Sequence, residues 1–367
     1  MTTSSDLLYQ IALTQIEGVG DINAKKLIAY CGSAEAIFRE KKPHLLKIPG
    51  IGEYSAKSIN KFSDFDRAEK EIKFIEKNNI QALFYSDTAY PTRLKHCEDS
   101  PILIYYKGNA DLNAQKVVSI VGTRMATEYG KEFCENLVAE LAIHKLLVVS
   151  GLAYGIDFCA HKAAVKHNLP TVGVLAHGLD KLYPALHQNL ADKMLENGGL
   201  LSDFMSETIP DKQNFPKRNR IVAGISDATI VIEAGIKGGA LITANIANSY
   251  SRDVFAVPGK INDTYSIGCN KLIKTNKAAL LESVKDIEYI MGWELQANKK
   301  RKQPQLFVEL NAEEKKITEI LEQRGKLDID TISIETKLPT GKLAGILLNL
   351  EFSGVLNSLP GKVYELN

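Results

Sequence analysis

Net charge of either sign is what this sequence lacks first. Its 45 lysines and arginines oppose 44 aspartates and glutamates, a formal charge of +1, so any affinity for a polyanion has to come from local clusters and not from a generally basic surface. Cysteine is also sparse. Cys31, Cys97, Cys134, Cys159 and Cys269 are odd in number, far apart, and make no C-x-x-C or Cys/His ligand spacing, which argues for reduced thiols and a cytoplasmic protein and against a disulfide framework or a metal site. No apolar run reaches the ~18 residues of a membrane span. Met1 to Asp6 has no basic stretch leading into an apolar one, so a soluble, unexported chain is expected. The nucleotide fingerprints are missing too: no G-x-G-x-x-G follows the first predicted strand, and Gly259-Lys260 is followed by Ile261 instead of the Ser or Thr of a P-loop. NAD and ATP are unsupported, and no cofactor is expected.

Against that neutrality stands Phe215-Pro216-Lys217-Arg218-Asn219-Arg220, three cations in four positions. Pro216 suits the start of a helix, where its missing N–H would go unpaired anyway, and this places the cations in the first turn. A helix N-terminus disfavours positive charge by roughly 0.3–1 kcal/mol per residue. A bound polyanion is the simplest way to reverse that cost, and phosphate binding is predicted here.

The length suggests two or three domains. An internal repeat marks the first: Ile16-Glu17-Gly18-Val19-Gly20 with Ala24-Lys25 recurs 32 positions later as Ile48-Pro49-Gly50-Ile51-Gly52 with Ala56-Lys57. Each unit reads as helix, two-glycine turn, helix, and the pair resembles tandem helix-hairpin-helix motifs. In that family the glycine N–H groups can hold DNA phosphates, with Lys25 and Lys57 placed for a second contact. Residues 1–88, expected to form this all-α (SAM-like) domain, carry 12 acidic and 12 basic side chains, a neutrality that equally suits a scaffold.

Residues 89–292 alternate short apolar runs with helical periods. Val117 to Val121, Leu147 to Val149, Thr171 to Leu175, Thr229 to Ile232 and Val254 to Val257 lack polar alternation, as strands buried on both faces do. The fold class expected is α/β, a Rossmann-like doubly wound parallel sheet that binds ligand beyond its strands' carboxyl ends. Residues 293–310, with Lys299-Lys300-Arg301-Lys302 and Pro304, read as a linker. Residues 311–367 read as three helices (Ala312 to Arg324, Asp328 to Lys337, Thr340 to Ser353), capped at Asn311 and Asp328, and then a hairpin around Pro360-Gly361. That is the winged-helix order. Its third helix has Lys342 as its only cation, so a protein contact is as well supported as a DNA contact.

Three strand-to-helix junctions should share one sheet edge: Gly122-Thr123-Arg124, Ser150-Gly151 continuing to Asp157, and Gly235 to Thr243 with Gly238-Gly239 opening a helix. Each offers backbone N–H donors, and with Lys217, Arg218 and Arg220 they predict an extended anion site. Phe215 is a candidate stacking platform for a base or, equally, a core anchor. Ser150, Asp157 and His161 lie near one another, but read more simply as a turn hydroxyl, a helix-start carboxylate and a packed histidine.

Tyr90-Pro91 with Leu94, Asp99, Pro101, Leu103 and Gly108, Val121 to Arg124 with Tyr129-Gly130, and Ser150 to Ala153 with Gly155-Ile156-Asp157 and Ala160-His161 form an ordered set. Gly178-Leu179-Asp180 with Tyr183-Pro184, Phe215-Pro216 with Arg218 to Ile221, and Val257-Pro258-Gly259 complete it. Over about residues 85 to 290 the chain resembles the DNA-processing protein A family, also called DprA or Smf. The family's frequent Ser-Gly is Gly238-Gly239 here, which drops a hydroxyl and keeps the backbone donors. The resemblance implies a homodimeric, cytoplasmic binder of single-stranded DNA without settled catalytic activity, which receives incoming strands in natural transformation, displaces or coexists with single-strand-binding protein, and loads RecA recombinase. By motif its pocket would include Arg124, Ser150-Gly151, Lys217, Arg218 and Gly238-Gly239. The rivals are a Rossmann-like nucleoside monophosphate phosphoribohydrolase using Ser150, Asp157 or Glu233, whose P-G-G-x-G-T turn is replaced here by Ile236-Lys237-Gly238-Gly239, and an adaptor that binds only proteins.

Overall fold

A computed structural model describes residues 4–293, 310–359 and 362–366. The expected linker with its basic run, and the Pro360-Gly361 turn, lie outside the described residues. The chain divides into two compact units, Met1–Trp293 and Glu294–Asn367.

The first unit opens with the repeat. Gly18 and Gly50 have φ of +78° and +87°, conformations only glycine adopts without strain. The next residue is buried in each case, and its N–H bonds back at 3.1 Å, Val19 to Ile16 and Ile51 to Ile48. Helices Asp21–Cys31 and Glu53–Lys61 follow. Their core, which includes Ile11, Leu27, Ile37 and Ile59, continues without a break into Phe84, Ile102, Leu103 and Tyr105. The helical part therefore shares a hydrophobic cluster with the sheet beside it.

That sheet has nine strands: β1 (Gln81–Phe84), β2 (Leu103–Gly108), β3 (Val117–Val121), β4 (Leu147–Ser150), β5 (Thr171–Val174), β6 (Gly198–Ser202), β7 (Ala228–Val231), β8 (Asp253–Ala256) and β9 (Ala279–Leu280). Their order is β1-β2-β6-β5-β4-β3-β7-β8-β9. From β6 to β9 all pairs are parallel, and β1 and β2 add an antiparallel edge. Alternate residues serve opposite layers, as the period of a strand requires. Val118 and Ile120 pack with helices Glu128–Leu141 and Ile156–Lys166, while Val117 and Val121 pack with helices Asn214–Gly224 and Gly239–Ser249. The sheet is thus wound on both faces.

In the second unit, helices Ala312–Arg324, Ile329–Thr336 and Thr340–Phe352 enclose Ile317, Leu321, Ile332, Leu343, Leu347 and Leu350. Asn311 forms a capping box with Glu314, and Asp328 caps the second helix. Strands β10 (Leu327–Asp328), β11 (Leu356–Leu359) and β12 (Val363–Leu366) pair in the order β10-β12-β11. Most of the third helix's leucines are accounted for by this core, and Lys342 is paired with Glu313 at 2.5 Å. The result is a winged-helix arrangement.

Candidate nucleic-acid interface

β3 and β7 lie side by side with Val121 opposite Val231. The chain winds away from β3 through β4, β5 and β6, then returns to β7 and winds the other way through β8 and β9. Such a reversal leaves a crevice beyond the strands' carboxyl ends. An open cavity of about 300 Å³ occupies it.

Two glycines make the crevice by tolerating close approach. A Cβ on Gly122 would lie 2.4 Å from the Ile156 side chain, and one on Gly155, whose φ is +77°, would lie 2.1 Å from the Thr123 carbonyl. The turn after β3 and the turn after β4 can therefore cross. Ile156 N–H donates to Thr123 O at 3.2 Å, and Thr123 N–H donates to Glu233 O at 2.7 Å.

Gly122, Thr123, Arg124, Gly151, Phe215, Arg218, Asn219, Gly238 and Gly239 all line the cavity. Arg218 is 4% exposed, and its Nη1 donates to Val174 O at 2.7 Å. Its Nε has no partner among the described residues. Burial pulls its guanidinium down from the usual arginine range, Asp157 opposes that, and Arg124 adds to it. Asp157 is itself pushed up by burial, with Arg218 and the Ala153 N–H resisting. Arg124 is exposed at the rim, with its guanidinium carbon 5.0 Å from the Phe215 ring centroid, a cation–π distance. Helix Gly239–Ser249 begins at the cavity with no side-chain cap, so its first N–H groups are open to an anion. Asn219 Nδ2 steadies that start by donating to Gly239 O at 3.4 Å.

Three predicted residues are not brought to the cavity. Ser150 is fully buried and donates to Ile120 O at 2.5 Å. Lys217 is exposed but does not line the cavity. Arg220 is committed to protein oxygens: its Nη2 is 2.9 Å from both Asp21 Oδ2 and Asp203 Oδ2, and its Nη1 donates to Asp99 O. The charge misfit inferred at this helix start is therefore resolved internally for Arg220. Moreover the helix begins at Asn214, two residues before Pro216, so Arg218 and Arg220 sit in its second turn, where the macrodipole has faded. Lys25, which the helix-hairpin-helix resemblance would place for a DNA contact, donates to Glu98 O at 2.9 Å and Ser100 Oγ at 2.6 Å, while Lys57 is exposed.

Lys237 also lines the cavity and was not singled out as a binding residue from the sequence. The available signal was its place between Gly235 and Gly238 in the loop after β7. The residues offered for hydrolysis separate: Glu233 accepts from Thr127 N–H at 2.9 Å and from its hydroxyl at 2.5 Å, and of Ser150, Asp157 and Glu233 only Asp157 reaches the cavity. His161 is fully buried with Nδ1 2.7 Å from Thr171 Oγ1. Burial, then Arg218 and His187, bring its pKa down to about 3. Among the described residues no group of three or more His, Cys, Asp or Glu is placed to hold a metal ion, and no helix is long and apolar enough to cross a membrane.

Comparison with known proteins gives consistent matches. The family described as DNA recombination-mediator protein A matches residues 81–291, and the DprA winged helix domain matches residues 301–362. The putative DNA processing protein DprA of Mycobacterium tuberculosis is 32% identical over 351 residues, covering 92% of this chain and 88% of that protein. DNA processing protein DprA of Bacillus subtilis is 40% identical over 217 residues, 59% of this chain and 73% of that one. Among solved structures, DNA processing protein A of Streptococcus pneumoniae superimposes with a TM-score of 0.67 at 32% identity, covering 79% of this chain and 98% of its own. DNA processing protein A of Helicobacter pylori, described for its unique single-stranded DNA binding mode, superimposes with a TM-score of 0.53 at 27% identity, covering 58% of this chain and 96% of its own.

Proposed function

Because the chain belongs to the DNA recombination-mediator protein A family, we propose that it binds single-stranded DNA in the crevice between β3 and β7 and acts without catalysis as a mediator of recombination. In this reading it receives and protects incoming strands during natural transformation, displaces or coexists with single-strand-binding protein, loads RecA, functions as a homodimer and resides in the cytoplasm. The domain limits near residues 88, 292 and 310 belong to the same reading.

One observation carries it. A buried arginine with an unpaired N–H forms the cavity floor, Arg124 and Lys237 stand at the rim, and an uncapped helix start faces the same space. Such a site rewards a chain of phosphates, and the Phe215 face offers an unpaired base a platform worth roughly 1–3 kcal/mol. A duplex keeps its bases stacked inside and cannot use that face.

Fluorescence anisotropy with single- and double-stranded oligonucleotides tests the proposal. Wild type should prefer the single strand, and Arg124→Glu and Arg218→Glu should each bind it at least ten-fold more weakly. Equal binding of both forms, or no effect of either reversal, overturns the reading. The hydrolase alternative retains Asp157 as its one cavity residue, and release of free base from a nucleoside monophosphate, abolished by Asp157→Asn, would establish it.

A further inference from the structure

Helix Asn214–Gly224 presents Phe215, Arg218 and Asn219 to the cavity. Two residues along an α-helix point about 200° apart, so Arg220 leaves the opposite side from Arg218. There it meets the helical N-terminal part. Asp21, the first residue of helix Asp21–Cys31, holds Arg220 Nη2 at 2.9 Å through Oδ2, and Asp203, just past β6, holds it at the same distance. The other Asp21 oxygen accepts Ile102 N–H at 3.0 Å. Lys25, one turn further along, adds its bonds to Glu98 O and Ser100 Oγ. The helix that follows the first glycine hairpin is thus fastened to the sheet region at several polar points, one of them the helix that lines the cavity.

We propose that Arg220 is a positioning residue: bridging Asp21 and Asp203, it holds the helix that carries Phe215 and Arg218, so that the N-terminal helical part raises affinity for single-stranded DNA without touching it. This rests on the single-strand reading above. A guanidinium satisfied by two carboxylates and a carbonyl has little left to offer a phosphate. Both Arg220 and its motif neighbour Arg218 keep a buried Nε without a partner among the described residues. Only Arg218 lines the cavity, while both terminal nitrogens of Arg220 are held by protein oxygens.

The salt dependence of binding separates a clamp from a phosphate ligand, because each neutralised phosphate contributes about −0.7 to the slope of log K against log salt for a single strand. Anisotropy titrations over a salt series with a thymidine oligonucleotide should be run on the full chain carrying Asp21→Asn, Arg220→Gln, or both. Asp21→Asn retains an oxygen for Ile102 N–H while removing both the charge and the Oδ2 acceptor that faces Arg220, and it leaves Arg220 itself in place, so it guards against a failure of Arg220→Gln to fold. The expectation is at least a three-fold weaker affinity for each single variant, an unchanged slope, and a double variant no weaker than the worse single one. A slope shallower by about 0.7 in Arg220→Gln, or wild-type affinity in Asp21→Asn, overturns the proposal. Should wild type not bind the oligonucleotide, the single-strand reading fails and hydrogen exchange still judges the clamp: faster exchange of the amides of residues 214–224 in Asp21→Asn supports it, and unchanged exchange overturns it.

Discussion

Arg218 is a cation buried at the base of a polar cavity, an arrangement that is costly unless the charge is hydrogen-bonded and opposed. Val174 O and Asp157 supply part of that, and Gly151 supplies the room: a Cβ there would lie 1.9 Å from Arg218 Nη1. Gly151→Ala should therefore push the guanidinium off its acceptor and, with a charge-assisted hydrogen bond worth about 1.5–3 kcal/mol, weaken single-strand binding at least ten-fold by anisotropy. His161 behaves differently. Its pKa is brought down to about 3 in the fold from 6.5, so the folded state binds fewer protons than the unfolded one at mildly acid pH. The stability from keeping it neutral is fully present above pH 6.5 and is lost as pH falls toward 3. Between pH 7.5 and 5 this residue alone should cost about 2 kcal/mol. Urea melts at the two pH values should show a difference smaller by that amount in His161→Asn.

At the scale of elements, the cavity is made by the turns after β3, β4 and β7, by the start of helix Gly239–Ser249 and by the face of helix Asn214–Gly224 that carries Phe215, Arg218 and Asn219. Arg124 and Lys237 are exposed at its rim. With three to four phosphates neutralised, log K should fall with log salt at a slope of about −2 to −3, and Arg124→Gln and Lys237→Gln should each make it shallower by about 0.7. Lys217→Gln should leave it near wild type, since Lys217 does not line the cavity. The strands behind these turns were readable as apolar runs wherever both faces are buried, as in β3 and β4. β6 was not: Gly198-Gly199 looks like a turn, and only the fold shows that a Cβ at Gly198 would strike Thr171 O at 2.1 Å and one at Gly199 the Tyr106 ring at 2.4 Å. The antiparallel β1–β2 edge was hidden for another reason. Leu103 to Tyr106 is itself an apolar run buried on both faces, with Ile104 and Tyr106 in one cluster and Leu103 and Tyr105 in the other, but its antiparallel pairing with β1 and β6 is set by segments that local pattern does not bring together.

At the scale of the whole molecule, residues 1–293 form one compact unit. A fragment of those residues should fold on its own and bind single-stranded DNA through the cavity with the salt slope of the full chain, as circular dichroism and anisotropy would show. Residues 89–293 alone should not behave so well. They would expose Ile102, Leu103 and Tyr105, which the helical part covers, and size-exclusion chromatography should find them aggregated. What the sequence determined by itself is whatever depends on near neighbours along the chain: the glycine-paired repeat, the buried parallel strands, the caps at Asn311 and Asp328, and the order of the motifs that identifies the family. The fate of each charge was decided only by the tertiary structure. Lys217, Arg218 and Arg220 look alike in a row, yet one meets solvent, one the cavity and one two carboxylates, Asp21 and Asp203, of which Asp21 lies far off in the helical part. An arginine's role is set by which acceptors surround its guanidinium, and those acceptors arrive from distant segments that local pattern does not bring together.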